Sequence, residues 1–295
     1  MLRTDGTGDK FTTISKALMK CQLGIIILLL SLVSGLDSNG LIPQMELAFR
    51  ASNNGGTIIA AKAKDIAIMI LYRKQEIGET IKDSSRIKII NKKTILGFSG
   101  ISSDGIHLSN VLFDKCIEYE NVYGNSMPIL KCAKLISQTL HERTLSDQTR
   151  PLGIRLCLIG TDDNKITPLI VDIDPIGNFH ESSICCVGPY ANKFIELLKN
   201  SSPIKDNDKE VVNSVISSDK KKCIELIKKC VGKLKLCLGE ENIIVDKKDI
   251  IICVLGKSID SKIFSRKSVN YIMQLIDDDD VNNEEIMTRI FNESE

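Results

Sequence analysis

Residues 37–65, DSNGLIPQMELAFRASNNGGTIIAAKAKD, decide how the rest of the chain is read. Asp37 and Ser38 carry short polar side chains able to accept hydrogen bonds from the free amides of a helix start, and Met45, Ala48, Phe49 and Ser52 then recur at helical spacing. The pattern predicts a helix over 37–53 that turns, through Asn53-Asn54-Gly55-Gly56, into the β-rich run Thr57-Ile58-Ile59-Ala60-Ala61. A second run, Ile66-Ala67-Ile68-Met69-Ile70, restarts beyond the turn-like Lys64-Asp65. A helix ahead of the first hairpin is an uncommon order.

Downstream the pattern alternates in blocks. Strands over about 57–63 and 66–73 precede a second hairpin, Arg86 to Ile90 and Thr94 to Ser99, joined at Asn91-Lys92-Lys93. Gly100 breaks that pattern. Ser102-Ser103-Asp104 is a cap signature for a helix carrying Ile106, Leu108, Val111, Leu112 and Cys116 to about Glu120. Pro128 opens another, with Ile129, Cys132, Leu135, Ile136 and Leu140 on one face. Strands return at Gly153–Ile159 and Thr167–Asp172 around an Asp162-Asp163-Asn164 turn, and Cys185-Cys186 is an adjacent pair on a strand, pointing to opposite faces. A polar stretch from Asp206 to Lys222 leads into a helix with Cys223, Leu226, Ile227 and Cys230, and Val245 and Ile250 to Leu255 form the last strands. Two helices between strand-rich halves predict an α+β chain layered α/β/β/α.

Of 295 residues, 43% are hydrophobic, enough to bury a core. The 39 basic and 38 acidic residues leave a net charge of +1, without the basic footprint or interleaved aromatics that nucleic acid binding requires. The ten cysteines sit mostly inside apolar runs with no framework spacing, which reads as reduced core thiols in a cytosolic or nuclear protein. His107, His141 and His180 stand alone, so no metal site is expected, and no phosphate loop or dinucleotide fingerprint calls for a cofactor. Residues 1–36 include the uncharged run CQLGIIILLLSLVSGL, shorter than a membrane span. That segment is compatible with a secretory signal, with a buried segment of an assembly, or with a wrongly chosen start. The remaining organisation is one domain over 37–276 and an acidic, solvated, flexible tail over 277–295.

Several of these stretches fall in one family's order. SNGLIPQMELAFRA, the run Gly55 to Asp65, Asp83-Ser84-Ser85 with Lys88, Phe98-Ser99-Gly100 with Ser103-Asp104, Tyr123-Gly124, Pro128, RPLGIRLCLIGTDD and Asp174-Pro175-Ile176-Gly177 together resemble an alpha-type subunit of the proteasome core particle. The pairing of AFRASNNGG with RPLG is most similar to the first of the seven eukaryotic alpha types. The resemblance implies a four-layer sandwich of the N-terminal nucleophile hydrolase type. It also implies a place in an outer seven-membered ring beside other alpha and beta subunits, in the cytoplasm and nucleus, serving ubiquitin-dependent degradation.

Catalytic relatives of beta type use an N-terminal threonine freed at a Gly-Thr bond, and Gly56-Thr57 offers one. The aspartate and lysine needed sixteen and thirty-two residues later are here Arg73 and Ile89, with Lys88 one place short, so the chain is expected to be non-catalytic. By resemblance, Lys88 would bind the terminal carboxylate of an activator or regulatory-particle tail, with Gly100 letting the tail's backbone approach. The helix carrying Ser38, Gly40, Gln44 and Glu46 would lie at the outer surface near the gate. Departures from the family pattern stand at Ser38, where a proline is usual, and at Leu47, where a tyrosine is usual. The family's Tyr-Asp pair is absent, and Pro43 is tolerable only near a helix start.

Overall fold

The computed structural model describes residues 42–63, 65–73, 86–146, 148–162, 167–201, 219–239, 249–256 and 259–277. The chain divides into two units between Leu47 and Ala48. The first contributes residues 42–47, the opening turns of helix α1 (Pro43–Ser52). Pro43 takes the first helical position, where its missing N–H costs nothing, and the amides of Met45 and Glu46 donate to the Ile42 carbonyl at 3.0 and 3.2 Å. The helix thus starts at Pro43, with Ile42 outside it, and not at Asp37. Residues 37–41 lie outside the described residues.

The second unit contains β1 (Thr57–Lys62), β2 (Ile66–Tyr72), β3 (Ile87–Asn91), β4 (Thr94–Gly100), β5 (Ile154–Gly160), β6 (Leu169–Ile173), β7 (Phe179–Ser182), β8 (Ile184–Val187), β9 (Ile250–Gly256) and β10 (Lys262–Ile263). They form two antiparallel sheets in the orders β10-β9-β2-β1-β8 and β3-β4-β5-β6-β7. Helices α2 (Ser102–Tyr123) and α3 (Ile129–Leu145) cover the second sheet, Leu112, Cys132, Ile136 and Leu140 packing on Leu96, Leu156, Leu158 and Val171. Helices α4 (Ala191–Ser201), α5 (Asp219–Gly239) and α6 (Arg266–Asp277) cover the first, with Phe194, Ile227, Leu234 and Ile272 on Ile59, Ile68, Ile70 and Ile252.

A third cluster lies between the sheets. Ile58, Met69, Leu71, Ile95, Ile159, Ile170 and Leu255 meet there, so each central strand is buried on both faces. That is why β1 and β2 read as continuous apolar runs without polar alternation. The result is the expected α/β/β/α sandwich. Cys185 enters the central cluster and Cys186 the outer one, on opposite faces as the pleat demands.

Two local expectations change. Ile101, not a serine or aspartate, occupies the cap position of α2, without a side-chain hydrogen bond. Asp162, expected as a turn residue, accepts the Ile129 amide at 3.1 Å and so serves the start of α3. The helices α4 and α6 and the short strands β7 and β10 were not expected from the sequence. Val245 and nearly all of the acidic tail lie outside the described residues, as does the apolar run at 21–36. Among the described residues no helix is long and apolar enough to cross a membrane.

The nine described cysteines are all buried, and none of them is in a disulfide. Burial pushes the thiols of Cys157, Cys186 and Cys223 up, and that of Cys230 up to about 12, from an ordinary value of 9.0. The folded chain therefore keeps these protons at pH values where the unfolded chain releases them. Stability is full below the unfolded value and falls as pH rises from about 9 towards about 12. Thermal unfolding under reducing conditions is expected to show Tm dropping over that window; a flat Tm between about pH 8 and about pH 11 would contradict it.

Candidate functional site

Strand β4 ends at Gly100, whose carbonyl accepts a hydrogen bond from Arg86 Nη1 at 2.9 Å. The same guanidinium donates through Nη2 to Ser102 Oγ at 2.8 Å and lies 5.7 Å from the centroid of the Phe98 ring. Arg86 is only 5% exposed and closes over the turn that follows α1: a Cβ on Gly55 would sit 2.9 Å from Arg86 Cζ. On the other side of the turn, Ser99 Oγ donates to the Asn54 carbonyl at 3.4 Å. The Asn53–Gly56 stretch singled out in the sequence is thus seated against a buried cation and the end of β4.

The last turn of α1 is held at the same place by backbone contact. A Cβ on Gly153 would lie 2.9 Å from Ala51 Cβ, and one on Gly100 would lie 3.0 Å from Ser52 Cα. The Ile101 amide donates to the Gly153 carbonyl at 3.0 Å. Asp104, 7% exposed, then ties in the segment before β5, accepting from Arg150 Nη2 and Nη1 at 2.7 and 2.8 Å and from the Gly153 amide at 3.1 Å. Donating to the Asp104 carboxylate raises the Arg150 guanidinium further above its ordinary value. Ser102, Ser103 and Asp104, expected to cap α2, are therefore arranged differently: Ser102 receives Arg86, and Asp104 receives Arg150 and Gly153.

Lys88 stands elsewhere. It pairs with Leu96 in β4, four residues before Gly100, and its ammonium donates to Asn110 Oδ1 and lies 4.9 Å from the Phe113 ring centroid. The structure does not bring Lys88 and Gly100 together; the cation against Gly100 is Arg86. The signal that could have found it is its place at the head of RIKII, two residues before Lys88 and therefore on the same side of an extended chain. Gln44 is exposed and Glu46 half-buried in the first unit, while Ser38 and Gly40 lie outside the described residues.

Thr57 opens β1 opposite Tyr72 and is 1% exposed. Its hydroxyl makes no hydrogen bond among the described residues. Arg73, the residue at the aspartate offset, donates its amide to the Asp249 carbonyl at 2.9 Å. Lys88 is turned onto α2, on the outer side of the second sheet, so it does not approach Thr57. A separate ion pair links β5 and β6, with Arg155 donating to Asp172 at 2.5 and 3.0 Å and His180 Nε2 3.7 Å from the same carboxylate. Among the described residues no three His, Cys, Asp or Glu side chains gather as a metal-ion cluster.

The chain matches a family model described as "Proteasome subunit" over residues 52–245. It is 29% identical to the Caenorhabditis elegans proteasome subunit alpha type-2 over 142 residues, 48% of this chain and 60% of that one. It is 29% identical to a probable proteasome subunit alpha type-5 of Encephalitozoon cuniculi over 156 residues, 50% of this chain and 65% of the relative. With the Dictyostelium discoideum alpha type-1 subunit it shares 25% identity over 158 residues, 53% and 62% of the two chains. The matches span less than two thirds of these relatives, and the relatives carry different type numbers, so no single type is picked out. The family match runs from the last residue of α1 through the whole second sheet and strands β1, β2 and β8 of the first to residue 245, and the chain belongs to the proteasome subunit family.

Proposed function

We propose that this chain is a non-catalytic alpha-type subunit of the proteasome core particle. In this reading it sits in an outer heptameric ring against other alpha subunits and a beta ring, in the cytoplasm and nucleus, and serves substrate gating and activator docking in ubiquitin-dependent degradation. The observation that carries it is the helix in front of β1. Ala48 and Ser52 are buried and α1 is packed through Ala51 and Ser52 against Gly153 and Gly100, so cleavage at Gly56 to expose Thr57 would strip a packed element from the fold. The alpha-type names of the relatives support the same reading over a processed beta-type protease with Thr57 as nucleophile. Purifying the chain from its native source, determining its N-terminus and identifying its partners tests this. Residues upstream of Thr57 and co-purifying alpha and beta family members are expected; a mature start at Thr57 would overturn it.

Within that assembly, Lys88 is the proposed partner of an activator's terminal carboxylate, and Gln44 and Glu46 on α1, with Ser38 and Gly40 in the sequence that precedes it, are proposed for the gate side. The Lys88 ammonium is held at the sheet surface by a neutral amide, Asn110, which a carboxylate would displace as the stronger acceptor. Lys88→Ala is expected to weaken binding of a tail peptide to the assembled particle roughly tenfold, the loss of one charge-assisted hydrogen bond. Arg86→Ala should instead lower yield and Tm, because Arg86 supports Gly100 and Ser102. Undiminished tail binding by Lys88→Ala would remove Lys88 from the site.

A further inference from the structure

The thiols of Cys116 on α2 and Cys132 on α3 lie 3.7 Å apart, sulfur to sulfur, across the contact between two consecutive helices. Five residues join those helices: Gly124 closes α2 by donating its amide to the Glu120 carbonyl at 2.8 Å, and Pro128 precedes the first residue of α3. Both cysteines are buried, yet Cys116 is flanked on its own helix by exposed Lys115 and Ile117. The hairpin is gripped at its open edge by Lys131, whose ammonium lies 4.2 and 5.3 Å from the Tyr119 and Tyr123 ring centroids.

The two sulfurs are not equivalent. The hydrogen bond shared by the two sulfurs holds Cys116 below the ordinary thiol value and Cys132 well above it, with burial adding to the latter, and Cys132 also faces the Met127 carbonyl as an acceptor at 3.9 Å. One sulfur is thereby prepared as a nucleophile and its neighbour as the group that answers it. A second close pair sharpens the contrast. Cys157 and Cys185 are hydrogen-bonded across the two sheets, but there desolvation is the leading influence and holds the Cys157 thiol protonated.

The geometry points to Cys116 and Cys132 as a peroxide-responsive modification site, a thiol pair that a small hydroperoxide converts into a disulfide clamping α2 to α3. In the first step the Cys116 thiolate attacks one oxygen of hydrogen peroxide; the S–O bond forms, the O–O bond breaks, and the departing hydroxide takes up a proton as water. In the second the Cys132 sulfur attacks the Cys116 sulfenic acid. The S–S bond forms, the S–O bond breaks, and hydroxide leaves as water with the Cys132 proton. The two sulfurs lose two electrons in all, and the peroxide becomes two waters. Exchange with a cellular thiol reverses the change. The sulfurs must close from 3.7 Å to about 2.05 Å, a rotamer-scale movement at the contact of two helices. The new bond would restrain the unfolded hairpin and stiffen the layer that covers the second sheet.

The test is peptide mapping of the folded full chain, first reduced, then exposed to hydrogen peroxide, then denatured in excess alkylating agent. The expected product is a Cys116–Cys132 linked peptide pair, lighter by two hydrogens and restored to free thiols by a reductant, with Cys157 and Cys185 alkylated. A rise in Tm of about 5–10 °C should accompany it. Cys132→Ser should stop at a sulfenic acid on Cys116 that dimedone traps. The wild-type map needs no variant, so it stands even where that substitution fails to fold. Both cysteines recovered as alkylated thiols after peroxide treatment would overturn the proposal. So would linkage that appears only in denatured chain or only among other cysteines.

Discussion

Gly100→Ala is expected to destabilise the chain by about 4 kcal/mol, enough to abolish most soluble yield of a marginally stable domain. Gly100 has a φ of +110°, and the added Cβ would fall 2.1 Å from the Gly153 carbonyl oxygen and 3.0 Å from Ser52 Cα. Both obstacles are backbone, so no rotamer change relieves them. Relief requires moving the segment before β5 away from β4, which breaks the Ile101–Gly153 hydrogen bond and the Asp104 contact to the Gly153 amide. Gly124→Ala provides the comparison, because Gly124 also has a positive φ, +71°, but a Cβ there meets nothing within 4 Å. It should cost only about 1 kcal/mol, the backbone strain alone. Denaturant unfolding of the two variants separates the steric cost from the conformational one; equal losses would show that the close approach at Gly100 is unimportant.

Gly105→Ala should be the next most damaging change, at about 2 kcal/mol net. A Cβ at that position of α2 would lie 2.1 Å from two atoms of the Phe98 ring, which is fully buried with Arg86 beside it. Alanine improves helix propensity by about 1 kcal/mol, and forcing the ring aside costs about 3 kcal/mol in a packed core, so overpacking wins. Phe98→Leu alone should cost about 1–2 kcal/mol through the volume it removes. In the double variant each change makes room for the other, and the losses should fall short of additivity by at least about 1 kcal/mol. Additive losses in the double-mutant cycle would mean that α2 shifts bodily and the ring contact is not the constraint.

Gly100 sits where α1, β4 and the segment before β5 meet, and Gly105 at the adjoining contact of α2 with Phe98 of β4, a region only half legible in the sequence. Asn53-Asn54-Gly55-Gly56 marks a turn by local chemistry, and Gly100 marks a break in strand pattern. The role of each charged side chain around them was not legible. Lys88 and Arg86 are both cations on RIKII, and an alternating strand gives no preference between them. The choice came from Phe113 and Asn110 taking the lysine while Phe98, Gly55 and Ser102 enclosed the arginine. Asp104 resembles a capping residue because its neighbours are serines. It instead meets Arg150, 46 residues away, because the start of β5 is brought beside β4. Helices α4 and α6 were likewise not expected from the sequence, although both carry apolar faces that pack on the first sheet through Phe194 and Ile272.

What the sequence determined by itself was the order of α1, the central strands, α2, α3 and α5, and the two-faced burial of those strands. Helix periodicity, turn chemistry and unbroken apolar runs act over three to five residues and need no distant partner. What only the tertiary structure decided was which side chains meet: Arg86 with Gly100, Asp104 with Arg150 and Gly153, Cys116 with Cys132. Those meetings depend on how two sheets and their covering helices stack, a balance of packing summed over the whole core that no local pattern contains.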